Sequence, residues 1–95
     1  MVSEEEEKYR QHQAASLTRL AGVAQYCMER ANNEGGLLKH REMQLNAALR
    51  CIADIKQFLE WYPYLKFEDL PKIEDLARRI GNNIQEARTR EGSED

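Results

Sequence analysis

Apolar residues recur at alternating steps of three and four in three separate stretches of this chain, and that rhythm constrains the fold more than any other feature. Leu17, Leu20, Ala24, Cys27 and Ala31 form the first series. Leu45, Ala48, Ile52, Ile55, Leu59 and Tyr62 form the second, and Leu70, Ile73, Ala77, Ile80, Ile84 and Ala87 the third. At 3.6 residues per turn each series falls on one face of an α-helix. An apolar stripe must be covered, and three stripes on one short chain cover one another when the helices lie side by side. Turn-forming residues at Asn32-Asn33-Glu34-Gly35-Gly36 and around Pro63 separate the series, so the chain is expected to fold back twice. The expected fold is all-α: an antiparallel up-down-up three-helix bundle with coiled-coil-like packing, in a single domain spanning residues 1–95.

Local signals set the boundaries. Ser3 followed by Glu6 reads as a capping box, and Glu4 to Glu7 suit the positive end of a helix dipole, so the first helix should run over about residues 4–32. Gly35 and Gly36 are expected to end it by taking the left-handed conformation. Gly22, inside that helix, weakens it by about 1 kcal/mol relative to alanine, which suggests a close backbone approach or a bend. The second helix should span 38–62, ended by Pro63, because the residue before proline avoids the α region. The third should span 69–90 with Pro71 in its first turn, leaving 91–95 as a frayed tail.

Hairpin geometry then fixes an expected register. Around a turn at Asn33 to Leu37, facing residues of the first two helices have numbers summing to about 71. Around a turn near Lys66 the corresponding sum for the second and third helices is about 132. Leu20, Ile52 and Ile80 should share one layer, Leu17, Ile55 and Ala77 the next; Ala24, Ala48 and Ile84 lie on the other side, followed by Cys27, Leu45 and Ala87. Toward the other end the pattern breaks, because Leu59 and Ile73 would meet Gln13 or His12, and Tyr62 and Leu70 would meet Tyr9 or Arg10.

Charge and cysteine content narrow the environment. The net charge is −3, and no face carries a large basic excess, which argues against unaided binding to a phosphate backbone or an anionic membrane. No apolar run reaches the roughly 18 residues of a spanning helix, and Met1-Val2-Ser3-Glu4 lacks the features of a secretory leader. A cytoplasmic location is expected. Cys27 and Cys51 should lie about two helical turns apart in the first hairpin, too far for a disulfide.

The register failure coincides with a concentration of aromatic residues. Phe58, Trp61, Tyr62, Tyr64 and Phe67 are five of the seven in the chain. Tyr64, Phe67 and Tyr9 could close the end of the bundle as a lid. Alternatively, part of this surface stays open for another protein or a second copy, since Trp and Tyr dominate interface hot spots. The candidate partner-binding residues are Phe58, Leu59, Trp61, Tyr62, Tyr64, Phe67, Leu70 and Ile73. The two histidines lie level with opposite ends of the first helix, His12 near its start and His40, on the second helix, beside its end, and no Glu-x-x-His pair suggests a metal centre. No nucleophile, base and oxyanion donor can be assembled, so the expectation is a non-enzymatic protein without cofactor or small-molecule substrate, working through protein contacts as an adaptor, regulator or inhibitor.

A different reading comes from Ile73-Glu74-Asp75-Leu76-Ala77-Arg78-Arg79-Ile80-Gly81-Asn82-Asn83-Ile84. With Ala77 and, four later, Gly81, this stretch resembles the helix-turn-helix of DNA-binding regulators. The resemblance implies a turn at Gly81 and phosphate contacts from Arg78, Arg79, Arg88 and Arg90, within residues 73–90. Asn82 departs from the apolar residue usual there, and the unbroken spacing Ile80, Ile84, Ala87 favours one continuous helix. The protein-contact reading therefore ranks first.

Overall fold

The computed structural model describes residues 3–93, with the side chains of residues 3–90. Three helices make up the fold: α1 (Glu4–Ala31), α2 (Leu38–Trp61) and α3 (Leu70–Ser93). They pack in an all-α three-helix bundle, an elongated body of 66 × 18 × 15 Å. The helix starts and ends fall within a few residues of the expected ones. The largest difference is at α3, which continues beyond Arg90 to Ser93, where a frayed tail was expected; residues 94–95 lie outside the described residues.

Ser3 caps the start of α1, as the sequence implies, through one of the two bonds of a capping box. Ser3 is extended (φ −71°, ψ 160°), and its hydroxyl accepts from the Glu6 N–H at 3.2 Å. The end of α1 is built differently from expectation, since no glycine among the described residues has positive φ. Asn32 stays in the right-handed region, and its N–H donates to the Met28 carbonyl. The chain then turns through Asn33, whose side-chain oxygen accepts from the Gly35 N–H and whose carbonyl accepts from the Gly36 N–H. Asparagine thus supplies the hydrogen bonds of the turn, and the glycines need no left-handed geometry. Gly22 is also not a contact point: a Cβ built there meets nothing within 4 Å.

Alanines on α1 explain why α1 and α2 are the most intimately packed pair. Ala21, Ala24 and Ala31 of α1 and Ala48 of α2 are all buried, so the backbones approach closely. Larger residues from α3, Ile73, Ile80 and Ile84, fill the space these small residues leave. One cluster gathers Cys27, Met28, Ala31, Ala48, Ile52, Ile73, Ala77, Ile80 and Ile84; a second, toward the α2–α3 connection, gathers Leu17, Ala21 and Ile55.

The register of α3 lies near the expected one: Ile52 with Ile80, and Ala48 with Ile84, share one core cluster. The cross-helix pairs Lys56–Glu74 and Glu42–Arg88 fall two positions from what a turn near Lys66 implies, while Leu45–Gly81 and Arg41–Asn83 fall six and eight positions lower on α3. The connection from Tyr62 to Asp69 is no tight hairpin: the Leu65 N–H donates to the Tyr62 carbonyl, after which Leu65 and Phe67 point inward and pack on the core. Ile73, expected at the candidate interface, lies in the core at 4% exposure and is a folding residue. Leu59, to which α1 was expected to offer only Gln13 or His12, packs against the Leu17–Ala21–Ile55 cluster.

Candidate functional site

The aromatic corner lies where the α2–α3 connection crosses the bundle, and α1 reaches it with Tyr9, Arg10 and Gln13. These three have about one turn between first and last, which puts them on adjacent faces of α1. Gln13 is a polar side chain at 4% exposure, and it accepts a hydrogen bond from the Tyr64 hydroxyl. The Arg10 guanidinium stands 5.0 Å over the Tyr64 ring, a cation–π contact. Tyr9 meets Tyr62 edge-on at 6.3 Å with their hydroxyls 3.4 Å apart, a distance at which either could donate. Tyr62 in turn packs on Phe58 at 4.8 Å and on Tyr64 at 6.1 Å. The hydrogen bond to Tyr9 pushes the Tyr62 phenol up from its ordinary value; desolvation and the neighbouring Tyr9 and Tyr64 add to this, while Gln13 pulls it down. The Tyr62 hydroxyl therefore stays protonated through the physiological range.

Most of the candidate partner-binding residues are therefore committed inside the protein. Phe58, Leu59, Phe67 and Leu70 are half-buried against the core, and Ile73 is fully within it. Tyr62 is half-buried, and Tyr64 is tied to Gln13 and Arg10. Tyr64 nevertheless keeps 43% of its surface exposed, and Trp61 is the most exposed of the eight. Trp61 ends α2 with 66% of its surface exposed, beside a platform of ordered rings. The structure brings six of the eight residues onto one corner around Tyr62, sends Ile73 into the core and leaves Trp61 outside. Leu65 was not foreseen, although the alternation Leu65, Lys66, Phe67, Glu68 of an extended segment carries the signal.

Arg41 was also not foreseen. It is 4% exposed at the opposite end of the bundle, where its Nε donates to the Ala31 carbonyl at 2.8 Å and its Nη2 to Asn83 Oδ1 at 3.2 Å. Asn83 passes the contact on to Glu34 at 3.5 Å. Arg41 thus satisfies a carbonyl left open at the end of α1 and joins all three helices. The clue was positional, because Arg41 continues the Leu45, Ala48, Ile52 stripe by one step.

A groove runs between α2 and α3 on the side away from α1. It encloses about 480 Å³ and is floored by Leu45, Leu49, Ile52, Ala53, Ala77 and Gly81. Leu49 remains 46% exposed on its bank. On the seam with α1, both cysteines are free thiols, Cys27 buried and Cys51 half-buried. Burial pushes the Cys51 thiol up from its ordinary value, with smaller contributions from Cys27 and Asp54, so it is a weak nucleophile at neutral pH.

The helix-turn-helix geometry is not present. α3 is one helix through Gly81, without the turn that the resemblance implies. Arg78 and Arg79 share the Asp75 carboxylate, and Arg88 pairs with Glu42 across to α2. Among the described residues no group of three or more His, Cys, Asp or Glu side chains could hold a metal ion, and no helix is long and apolar enough to cross a membrane. No protein-family model matches the chain, and no curated protein or solved structure matches it.

Proposed function

We propose that this bundle is a non-enzymatic protein-binding module that docks another protein, or a second copy of itself, at the aromatic corner with Trp61 as the anchor. The observation that carries the reading is the exposure of Trp61, 66%, beside rings that are otherwise held in place. A large aromatic side chain presented from a rigid platform loses little conformational freedom on binding, which is why tryptophan so often anchors interfaces. Free thiols with no disulfide suit a reducing, cytoplasmic setting.

Trp61 is the only tryptophan in the chain, so its fluorescence reports on this surface alone. Sedimentation velocity and affinity capture, comparing wild type with Trp61→Ala, test the reading. A self-association or a captured partner that weakens by about 2 kcal/mol or more in the variant, with a blue shift of Trp61 emission when the wild type binds, supports it. A variant that matches wild type in both experiments, with unchanged emission, overturns it.

A further inference from the structure

The segment from Tyr62 to Asp69 crosses the end of the bundle with little to hold it there. We propose that it is a strap that opens as a unit while the three helices persist, latched to α1 by the bond between Tyr64 and Gln13. Its closure sets whether Trp61 stands on an ordered platform. The inference deepens the docking proposed at the aromatic corner, and rests on that reading only for this consequence at Trp61.

The strap is weakly tied by its own backbone. Pro63 has no N–H, and among the described residues from Tyr64 to Asp69 the Leu65 N–H alone donates to a backbone carbonyl, that of Tyr62 at 3.0 Å. No residue of the strap is fully buried: Leu65 and Phe67 are half-buried, and the residues between and after them are exposed. Both pack against Leu17 and Ile55, which are 5% and 0% exposed, so the strap shelters core residues while keeping one side in water. A segment with few backbone bonds and few buried contacts opens at a lower free energy than the helices it joins.

The latch is polar. Gln13 is 4% exposed, and its Oε1 accepts from the Tyr64 hydroxyl. With the strap open, water can serve this amide; with the strap shut, a donor from the strap must do so, because a buried amide left unpaired is costly. Closure therefore depends on Tyr64 being seated. Arg10 over the Tyr64 ring at 5.0 Å and Tyr9 beside Tyr62, hydroxyls 3.4 Å apart, add two contacts from the same stretch of α1. Tyr62 in turn packs on Phe58 and Tyr64, the rings next to Trp61. Opening disperses them. A partner that docks on Trp61 and these rings binds the closed form, so docking and latching favour each other.

Lys66, exposed in the middle of the strap, makes opening readable by brief trypsin digestion of the free full-length chain, with the fragments identified by mass spectrometry. Cleavage after Lys66 should run at least roughly tenfold faster than after Arg50 in the middle of α2. Ile84→Val, in the core away from the strap, weakens open and closed forms alike against unfolding, so it should speed the cut at Arg50 and leave that at Lys66 unchanged. Tyr64→Phe deprives the closed form of the Gln13 donor and should speed the cut at Lys66 about tenfold. Tyr64→Phe/Gln13→Leu, with an apolar contact in place of the bond, should return it toward the wild-type rate. Cleavage at Lys66 no faster than at Arg50, a rate at Lys66 that rises with Ile84→Val, or a Tyr64→Phe chain cut like wild type would overturn the inference. No partner enters the measurement, so its failure is distinct from a failure of docking at Trp61, which association alone reads.

Discussion

Arg41 offers the sharpest test of how this bundle is held together, because a buried cation is stabilising only if its hydrogen bonds outweigh the desolvation of its charge. Its Nε bond to the Ala31 carbonyl, 2.8 Å long and buried, is a charge-assisted contact of roughly 1.5–3 kcal/mol. The cation also sits at the negative end of the α1 dipole. Truncation to alanine removes these contacts and the packing of the aliphatic stem, so Arg41→Ala should cost about 2–4 kcal/mol. For a domain whose total stability is on the order of 5–14 kcal/mol, that is a large fraction. Arg41→Met restores the packing and leaves the Ala31 carbonyl and Asn83 without their donor, for a loss of about 1.5–3 kcal/mol. Arg41→Lys keeps the charge but cannot direct a planar fork at both acceptors, and should lose about 1 kcal/mol. Urea unfolding followed by circular dichroism should therefore rank the four proteins wild type, Lys, Met, Ala in falling stability. An Arg41→Met protein as stable as wild type, or more so, would refute the reasoning, since desolvation would then exceed the hydrogen bonds.

Other outcomes follow from the same packing. Ile52→Ala, at a site 5% exposed, should cost about 2–5 kcal/mol, whereas Arg50→Ala on the surface should cost under about 0.5 kcal/mol; equal urea midpoints would contradict the register. Gly22→Ala should stabilise α1 by about 1 kcal/mol, since a Cβ there meets nothing within 4 Å and φ is not positive, and a lowered melting temperature would be the contrary result. Cys27 and Cys51 should react slowly with a thiol reagent in the folded protein and at once after denaturation, and mass spectrometry should find no bond between them. Because the folded Cys51 thiol holds its proton above its ordinary pKa, the folded state binds more protons than the unfolded one on the alkaline side. Stability should then fall as pH rises past about 9, and Cys51→Ser should flatten that fall in thermal melts.

Helix number, helix extents and the α1–α2 register were legible in the sequence because each rests on local information. Capping residues, a proline and a stripe of fixed period act within a few residues of where they stand. The path of the Tyr62–Asp69 connection was not legible in the same way. A connection of that length can loop outward or lie back on the bundle, and the inward packing of Leu65 and Phe67 decides it. The aromatic residues were correctly placed together, but their division between core and surface depends on that connection and on polar partners such as Gln13. Gln13 and Arg41 were obscure for a related reason, since each is a polar residue on a buried face whose partner lies 51 or 10 positions away.

The composition of α1 decides which apolar residues the core takes up. α1 offers the centre of the bundle mostly alanine, so much of the bulk comes from α3, which places Ile73, Ile80 and Ile84 in the core. Phe58, Leu59, Phe67 and Leu70 then complete the end of the bundle without Trp61. Along α2, Ile52 and Ile55 meet the requirements of packing on both sides, and Leu49 stays largely exposed beside Ala53. A tryptophan and a leucine that folding does not bury are unfavourable to leave in water, by roughly 25 cal/mol for each Å² of apolar surface. A partner that covered Trp61 would recover its share of that free energy, which is the physical basis of the docking proposed at the aromatic corner. Leu37 and Met43 are exposed to a similar degree, so exposure alone does not single Trp61 out; the ordered rings beside it do.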